Sequence, residues 1–464
     1  MKHRWIFIFA ALVAFSQAKA ADPMLHQMAV TYGNPALSQT HVLASTGQDQ
    51  EAQSIFCGTD GSCDFFGIPR TLSARTGLLV GRLDATGKLV RAHVYDPGST
   101  YLDQVIRGSD GGYFLAIDTR SSFGGSTVDR GRGLVLKLSP DGKPVWATLI
   151  SAPYGKDSAA RVNSVVEGPD GSLIVIGVCT DGKYDDEKDD LAVLKLTPTG
   201  RPLWSHCYRF DQPTFGEHAQ LRPDGSIVLS AMQMIDGQFD HDSLLFSLSP
   251  DGVPQQVGQF AIDEGTFYAN EIFARPDGGM LVTGGLSTRR TEVQDRGVVL
   301  RIEADRSVKT ARSYEVAGEF QPYESVILPE SVALLGSSDS LKPYINSAVA
   351  LLVGQDGRPR AAVVGTLFEP GTDHTTYNDF EGIIQRPSGQ YLLLGSTPAF
   401  NDKRNLEMLT TLWTPAANST SAVTVASLHA KLLPVTLPKV YEGKLAIESL
   451  DISQIEIVDV TPKE

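Results

Sequence analysis

The chain has 464 residues, with 54 acidic against 40 basic side chains and a net charge of −14 at neutral pH. A negative surplus of that size repels phosphate backbones and argues against nucleic acid as a partner. Beyond the N-terminal segment, no stretch is apolar for long enough to span a bilayer, so the rest of the chain is expected to fold outside the membrane.

From the N-terminus, Lys2 and Arg4 precede the apolar run Trp5 to Phe15, and Ala18-Lys19-Ala20 forms an A-x-A cleavage site. Residues 1–20 therefore read as a removable signal peptide, with a periplasmic or secreted destination. No Cys directly follows the cleavage site, which argues against a lipid anchor. Residues 21–50 form an N-terminal segment, 51–428 carry the repeats, and 429–464 are a C-terminal extension expected to pack on them.

The repeats are pairs of hairpins. One form is Val165-Val166-Glu167-Gly168-Pro169-Asp170-Gly171-Ser172-Leu173-Ile174-Val175, and the other is Leu194-Lys195-Leu196-Thr197-Pro198-Thr199-Gly200-Arg201-Pro202-Leu203-Trp204. Two hairpins make four strands, the unit of a β-propeller blade. Inner turns fall near Asp60-Gly61, Asp110-Gly111, Asp170-Gly171, Asp224-Gly225, Asp277-Gly278, Glu330 and Ser388-Gly389. Outer turns fall near Thr86-Gly87, Asp141-Gly142, Thr199-Gly200, Asp251-Gly252, Asp305, Asp356-Gly357 and Pro415. Each set has seven members, so the expected fold is all-β, a single propeller of seven four-stranded blades. His41 to Ser45 or Ala422 to Leu428 could supply the strand that closes the ring.

In Asp190-Leu191-Ala192-Val193-Leu194-Lys195-Leu196, followed by Gly200 and Trp204, and in Gly133 to Trp146, the repeats resemble bacterial propeller repeats of the SBBP type. The resemblance covers most of residues 50–425 and implies a fold, with no catalytic residues attached. Phe246-Ser247-Leu248 and Leu351-Leu352-Val353 depart from it by lacking the Lys. Trp146 and Trp204 hold equivalent positions and read as packing between blades.

Four Cys in an exported chain suggest disulfides. Cys57 and Cys63 flank an inner turn and face each other across one hairpin, so they are expected to bridge. Cys179 and Cys207 fall on strands separated by a third, and bridge only if the strand ends bend together.

The first strand of each blade lines the central channel. Seven residues before each inner turn stand Gln53, Asp103, Asn163, Glu217, Asn270, Tyr323 and Glu381. The next position holds Gln104, Ser164, His218, Glu271 and Glu324 in the middle blades. Polar side chains at buried positions are costly unless satisfied, so they read either as hydrogen-bonded walls or as a ligand site at the channel mouth. The candidate binding set is Asp103, Asn163, Glu217, His218, Asn270, Glu271, Tyr323 and Glu381. Oxygen ligands of this kind suit Ca²⁺ or Mg²⁺ rather than Zn²⁺. The long loops, Asp118 to Arg132, Thr180 to Asp190, Gln233 to Asp242, Leu286 to Arg296, Ser337 to Ser347 and Ser396 to Asn405, all emerge on one face, the functional candidate. The acidic run Asp185 to Asp190 lacks the glycine and spacing of a calcium loop and reads as a solvated loop.

No G-x-S-x-G or H-E-x-x-H motif occurs, and Gly81 to Lys88 lacks the Ser or Thr of a phosphate loop. The sequence thus points first to a monomeric binding module for a protein or glycan. A hydrolase or lyase acting on carbohydrate through Asp103, Glu217, His218, Glu271 and Glu381 is the alternative, and an envelope assembly or inhibitor protein is the third reading.

Overall fold

The strands are short runs of branched and aromatic residues cut by Gly-bearing turns, which makes antiparallel pairing the only economical way to satisfy their backbone groups. In this computed structural model the described residues are 25–30, 36–45, 49–70, 77–96, 100–119, 132–151, 159–180, 189–235, 238–288, 296–316, 318–338, 347–365, 378–397, 407–416, 419–421, 423–442, 445–450, 452 and 455–459. Seven antiparallel sheets stand around a central channel as a seven-bladed propeller. The innermost strands of blades 1 to 7 are Asp49–Cys57, Thr100–Arg107, Ala159–Glu167, Thr214–Leu221, Thr266–Ala274, Gln321–Ile327 and Asp379–Gln385.

The turns behave as their residues dictate. At Asp60-Gly61, the Gly61 N–H donates to Gly58 O at 3.0 Å and Gly61 takes φ of 81°. Asp60 Oδ1 accepts from Ser62 N at 3.1 Å, a side-chain bond repeated at Asp170 and Asp224. Where the glycine is lost after Asp305, Arg306 adopts φ of 68° itself. Its guanidinium donates to Leu245 O at 2.9 Å and Ser247 Oγ at 3.0 Å in the preceding blade, which offsets the backbone strain.

Both chain ends complete the architecture. Leu37–Ser45 pairs with Glu407–Trp413 and closes blade 7, and Leu25–Val30 adds a strand outside it. This differs from an outer hairpin at Pro415: the chain leaves the blade there, because its fourth strand arrives from the N-terminus. The C-terminal extension runs around the rim in reverse order. Val423–Ser427 pairs with the outer strand of blade 5, Ala430–Pro434 with blade 4, Lys439–Glu442 with blade 3, Ala446–Leu450 with blade 2 and Glu456–Asp459 with blade 1. Among the described residues, blade 6 alone has no fifth strand.

Between these strap strands the chain turns inward. Leu428, Leu445 and Ile455 are buried in the apolar layers between neighbouring blades, and Val435 packs against another such layer. The interior is a ring of inter-blade layers, to which Trp146 and Trp204 belong as expected. Trp146 Nε1 also donates to Pro198 O of the next blade at 3.2 Å.

Both disulfides form. Cys57 and Cys63 are directly paired across the first hairpin of blade 1, with Cα atoms 3.9 Å apart. Cys179 and Cys207 join the second and fourth strands of blade 3 across the intervening strand, with Cα atoms 6.6 Å apart. On the crossed strand Asp190 is the partner of Cys179 and Ala192 the partner of Cys207. Closing a loop over a separation of 28 residues restricts the unfolded chain by about 3–4 kcal/mol. The double replacement of Cys179 and Cys207 by Ala is expected to lower unfolding free energy by that amount in a urea titration. An unchanged midpoint would show that the bridge adds nothing. Among the described residues, no helix is long and apolar enough to cross a membrane.

Candidate functional site

One irregularity recurs in every blade. The pairing of the first strand with the second slips by one residue between Ala52 and Ser54, Leu102 and Gln104, Val162 and Ser164, Gly216 and His218, Ala269 and Glu271, Pro322 and Glu324, and Phe380 and Gly382. The extra residues are Gln53, Asp103, Asn163, Glu217, Asn270, Tyr323 and Glu381. These are the seven residues that stand at fixed distance before the inner turns. A β-bulge leaves its extra residue outside the ladder and re-aims it, so the repeat builds a ring of unpaired positions around the channel.

The second strand cooperates. A Cβ on Gly284 would meet Tyr268 O at 1.8 Å, and one on Gly177 would meet Arg161 O at 2.0 Å. Gly67, Gly336 and Gly395 stand in the same place in blades 1, 6 and 7. In these five blades glycine allows the close backbone approach at the bulge, whereas blades 2 and 4 carry Ile117 and Ala231 in that place. This glycine in the second strand is a sequence signal for five of the seven bulges.

A cavity of about 360 Å³ opens at the bulges of blades 2 to 6. Its wall is Asp103, Gln104, Asn163, Glu217, His218, Asn270, Glu271, Pro322, Tyr323 and Glu324. Seven of the eight candidate binding residues are therefore brought together. Glu381 is not in this wall; it stands beyond it in blade 7 near Asp379 and Glu51 and feels the charge of Glu324. Gln104, Glu324 and Pro322 complete the wall and were outside the candidate set.

Several wall residues also hold the blades together. Asn163 Nδ2 donates to Gly216 O of blade 4 at 2.8 Å, and Asn270 Nδ2 to Pro322 O of blade 6 at 3.1 Å. His218 Nε2 lies 2.6 Å from Glu271 Oε2, and Gln104 Nε2 lies 3.1 Å from His218 Nδ1. The Tyr323 hydroxyl donates to Gln321 Oε1 at 3.0 Å while its ring stays exposed.

The carboxyl groups are crowded and poorly hydrated. Burial pushes Glu217 up to about 7, with Arg161 opposing. Burial also raises Glu271, and the Glu324 charge adds to it. Glu324 is itself raised by burial. Asp103 is raised by the protein around it and then by Asp118, although it stays open to water in the channel. Burial raises Asp379 and Glu381, which hydrogen-bond to each other. His218 is lowered to about 4 by burial and is neutral at ordinary pH. The wall thus offers neutral acids, amides, an imidazole and a phenol, a mixture of donors and acceptors in one cavity.

Other sequence features are placed more plainly. Asp190 takes a two-pronged ion pair from Arg209, with bonds of 3.0 and 2.7 Å, and Asp189 pairs with Arg161 at 3.4 Å. Residues 185–188 of that acidic run lie outside the described residues, as do 120–131, 289–295, 339–346 and 398–406 of the long loops. At 233–242, strands continue to Ile235 and resume at Gln238. Among the described residues, no three His, Cys, Asp or Glu side chains gather as a metal-binding group.

No family model matches the chain, and no curated protein matches it. Solved structures do. An apocarotenoid oxygenase variant from Synechocystis aligns over 92% of this chain and 96% of its own, at 12% identity and a TM-score of 0.40. The NanB sialidase from Streptococcus pneumoniae aligns over 84% and 71%, at 11% identity and a TM-score of 0.38. The WD40 domain of SCAP from fission yeast aligns over 85% and 99%, at 9% identity and a TM-score of 0.32. Enzymes and a repeat domain stand side by side in this set, at a level of likeness that says nothing about chemistry.

Proposed function

We propose that the protein is an exported bacterial propeller that captures a glycan at the mouth of its central channel, one sugar unit occupying the cavity. The observation that carries this reading is the sevenfold bulge, which turns a repeated strand position into a polar wall around about 360 Å³. That volume is in the range of small-ligand sites. Sugar hydroxyls both donate and accept, and the wall offers both. The exposed face of Tyr323 can take the C–H side of a sugar ring. The two disulfides fit an oxidising compartment outside the cytoplasm.

Calorimetric titration of the mature chain against a glycan panel tests the proposal. A bound glycan should lose about tenfold in affinity with Glu217→Gln or Asn163→Ala, about 1.4 kcal/mol for one wall contact. Binding to a protein partner with no glycan bound, or equal glycan affinity in both variants, overturns it.

Glu217 gives a second reading a foothold. A carboxyl held near 7 is half protonated at neutral pH, as a general acid for glycosidic cleavage must be. Incubating the bound glycan with wild type and with Glu217→Gln decides this: cleavage products formed only by the wild type make the protein a hydrolase or lyase.

A further inference from the structure

The cavity wall is unbalanced in charge. Asp103 from blade 2, Glu217 from blade 4, Glu271 from blade 5 and Glu324 from blade 6 set four carboxyl groups around about 360 Å³, with no Lys or Arg among the described wall residues. Arg161 acts on Asp103 and Glu217 from outside the wall, but it already pairs with Asp189 at 3.4 Å. Asp118 adds negative charge beside Asp103, and Glu381 beside Glu324. Burial and like charge are why Glu217, Glu271 and Glu324 hold their protons to higher pH than free carboxyls do. The amide and phenol donors of this wall are engaged inside the protein. Asn163 Nδ2 and Asn270 Nδ2 donate to the next blade, and the Tyr323 hydroxyl donates to Gln321. Gln104 Nε2 lies against the His218 ring, 3.1 and 3.4 Å from its two nitrogens. The Glu217 carboxyl, by contrast, takes no hydrogen bond among the described residues, and Glu324 accepts only from the Ser325 backbone. What the wall holds open to a ligand is therefore mainly carboxyl oxygen.

We infer that the sugar unit seated in this cavity carries a free, protonated amine, so that the captured glycan is built on unacetylated amino sugars, with Glu217 and Glu324 as the partners of the ammonium group. This rests on the glycan reading above and narrows it. An ammonium has three donors and no acceptor, which matches a wall whose own donors are engaged. Its charge draws the carboxyls into their ionised form, and each N⁺–H···O⁻ contact is roughly twice as strong as a neutral hydrogen bond. An acetyl group on the nitrogen would remove that charge, and a sugar carboxylate would meet like charge around the wall. The four carboxyls come from four blades, and among the described residues no three acidic, His or Cys side chains gather as a metal-binding group. That spread suits a cation carried on a larger molecule better than a bare metal ion, which needs its oxygens to converge.

The test is calorimetric titration of the full mature chain, at about pH 7 where amines are largely charged, with oligosaccharides in matched sets of equal length. Each set holds the amino sugar, its N-acetyl form, the plain hexose and the uronic acid, in the gluco and the galacto series. In the set that fits, the amine should bind at least about tenfold more tightly than its N-acetyl and hydroxyl counterparts, and the uronic acid should not bind. Combining Glu217→Gln with Glu324→Gln keeps the side-chain shape and removes the charge, so the amine preference should fall to about threefold or less. An N-acetyl, plain or acidic sugar that matches the amine in the wild type overturns the inference and leaves the glycan reading standing. An amine preference that survives unchanged in the double variant overturns it too, because wall charge is its cause. If no sugar of any set binds, the glycan reading falls and the inference with it. If the double variant does not fold, the wild-type series alone decides.

Discussion

Removing residues 423–464 is expected to destabilise the propeller more than any single substitution in a blade. Five strands leave five outer edges at once, each with its backbone groups unpaired. Leu428, Leu445 and Ile455 also leave the inter-blade layers, and each such loss costs about 2–5 kcal/mol when a buried aliphatic side chain is cut to Ala. The open edges are templates for pairing with other chains, so the truncated protein should aggregate as well as melt early. Light scattering and a thermal melt of the truncated chain check this. A monodisperse protein that melts with the full chain would show that the strap is ornamental. The single change Leu445→Ala should reproduce part of the effect, about 2–4 kcal/mol in urea, without exposing an edge.

The second large effect is a fall in stability as pH rises from about 5 to 8, opposite to the usual acid sensitivity of folded proteins. Glu217, Glu271, Glu324, Asp379 and Glu381 all have folded pKa values raised above their ordinary values, Glu217 to about 7. Between the ordinary carboxyl range and that value the folded chain holds protons that the unfolded chain has released. Stability must therefore decrease through the window, by about 1.4 kcal/mol per pH unit for each net proton. His218 acts the other way: its folded value is lowered to about 4, so the unfolded chain binds the extra proton below its ordinary value of 6.5. One imidazole against five buried carboxyls leaves the fall dominant. Below about pH 4 the turn carboxylates take over. Asp60, Asp170, Asp224 and Asp305 are held low chiefly by their Ser hydroxyls, and the stability they add is lost as they protonate. Melting temperature should peak near pH 5 at constant ionic strength. A curve that is flat or rising from pH 5 to 8 would mean the channel carboxyls are ordinary, well-hydrated acids.

Much of the architecture was legible because its signals are local. Asp-Gly turns, the Lys-Leu strands and Trp146 and Trp204 all act within a hairpin or between adjacent blades. The ring positions were legible for a similar reason: each bulge sits a fixed number of residues before its turn, so counting back from Asp110 or Asp224 reaches Asp103 or Glu217. The bulge itself was hidden, because its mark lies on the facing strand and is uneven: a glycine in five blades, as at Gly177 opposite Val162, but Ile117 and Ala231 in blades 2 and 4. The cavity occupies only the arc of blades 2 to 6, and no repeat pattern distinguishes Glu381 from Glu217. The strap was the least legible element. Thr424, Val425 and Ser427 lie exposed, so its strands carry little alternation, and their partners lie more than a hundred residues earlier. The Cys179–Cys207 bridge was undecided for want of the strand curvature that brings the two Cα atoms to 6.6 Å.

The reversed course of the strap has a consequence in time. Blade 1 is made early by the ribosome, yet its outer strand Leu89–Asp96 waits for Glu456–Asp459, which is made only after all seven blades. The early strand Leu37–Ser45 likewise waits for Glu407–Trp413 of blade 7. Contacts of such long sequence separation are slow to form. The nascent chain must therefore carry an unsealed first blade through almost its whole journey. A stalled or C-terminally clipped chain would present that blade's unpaired edge to any quality-control protease in its compartment.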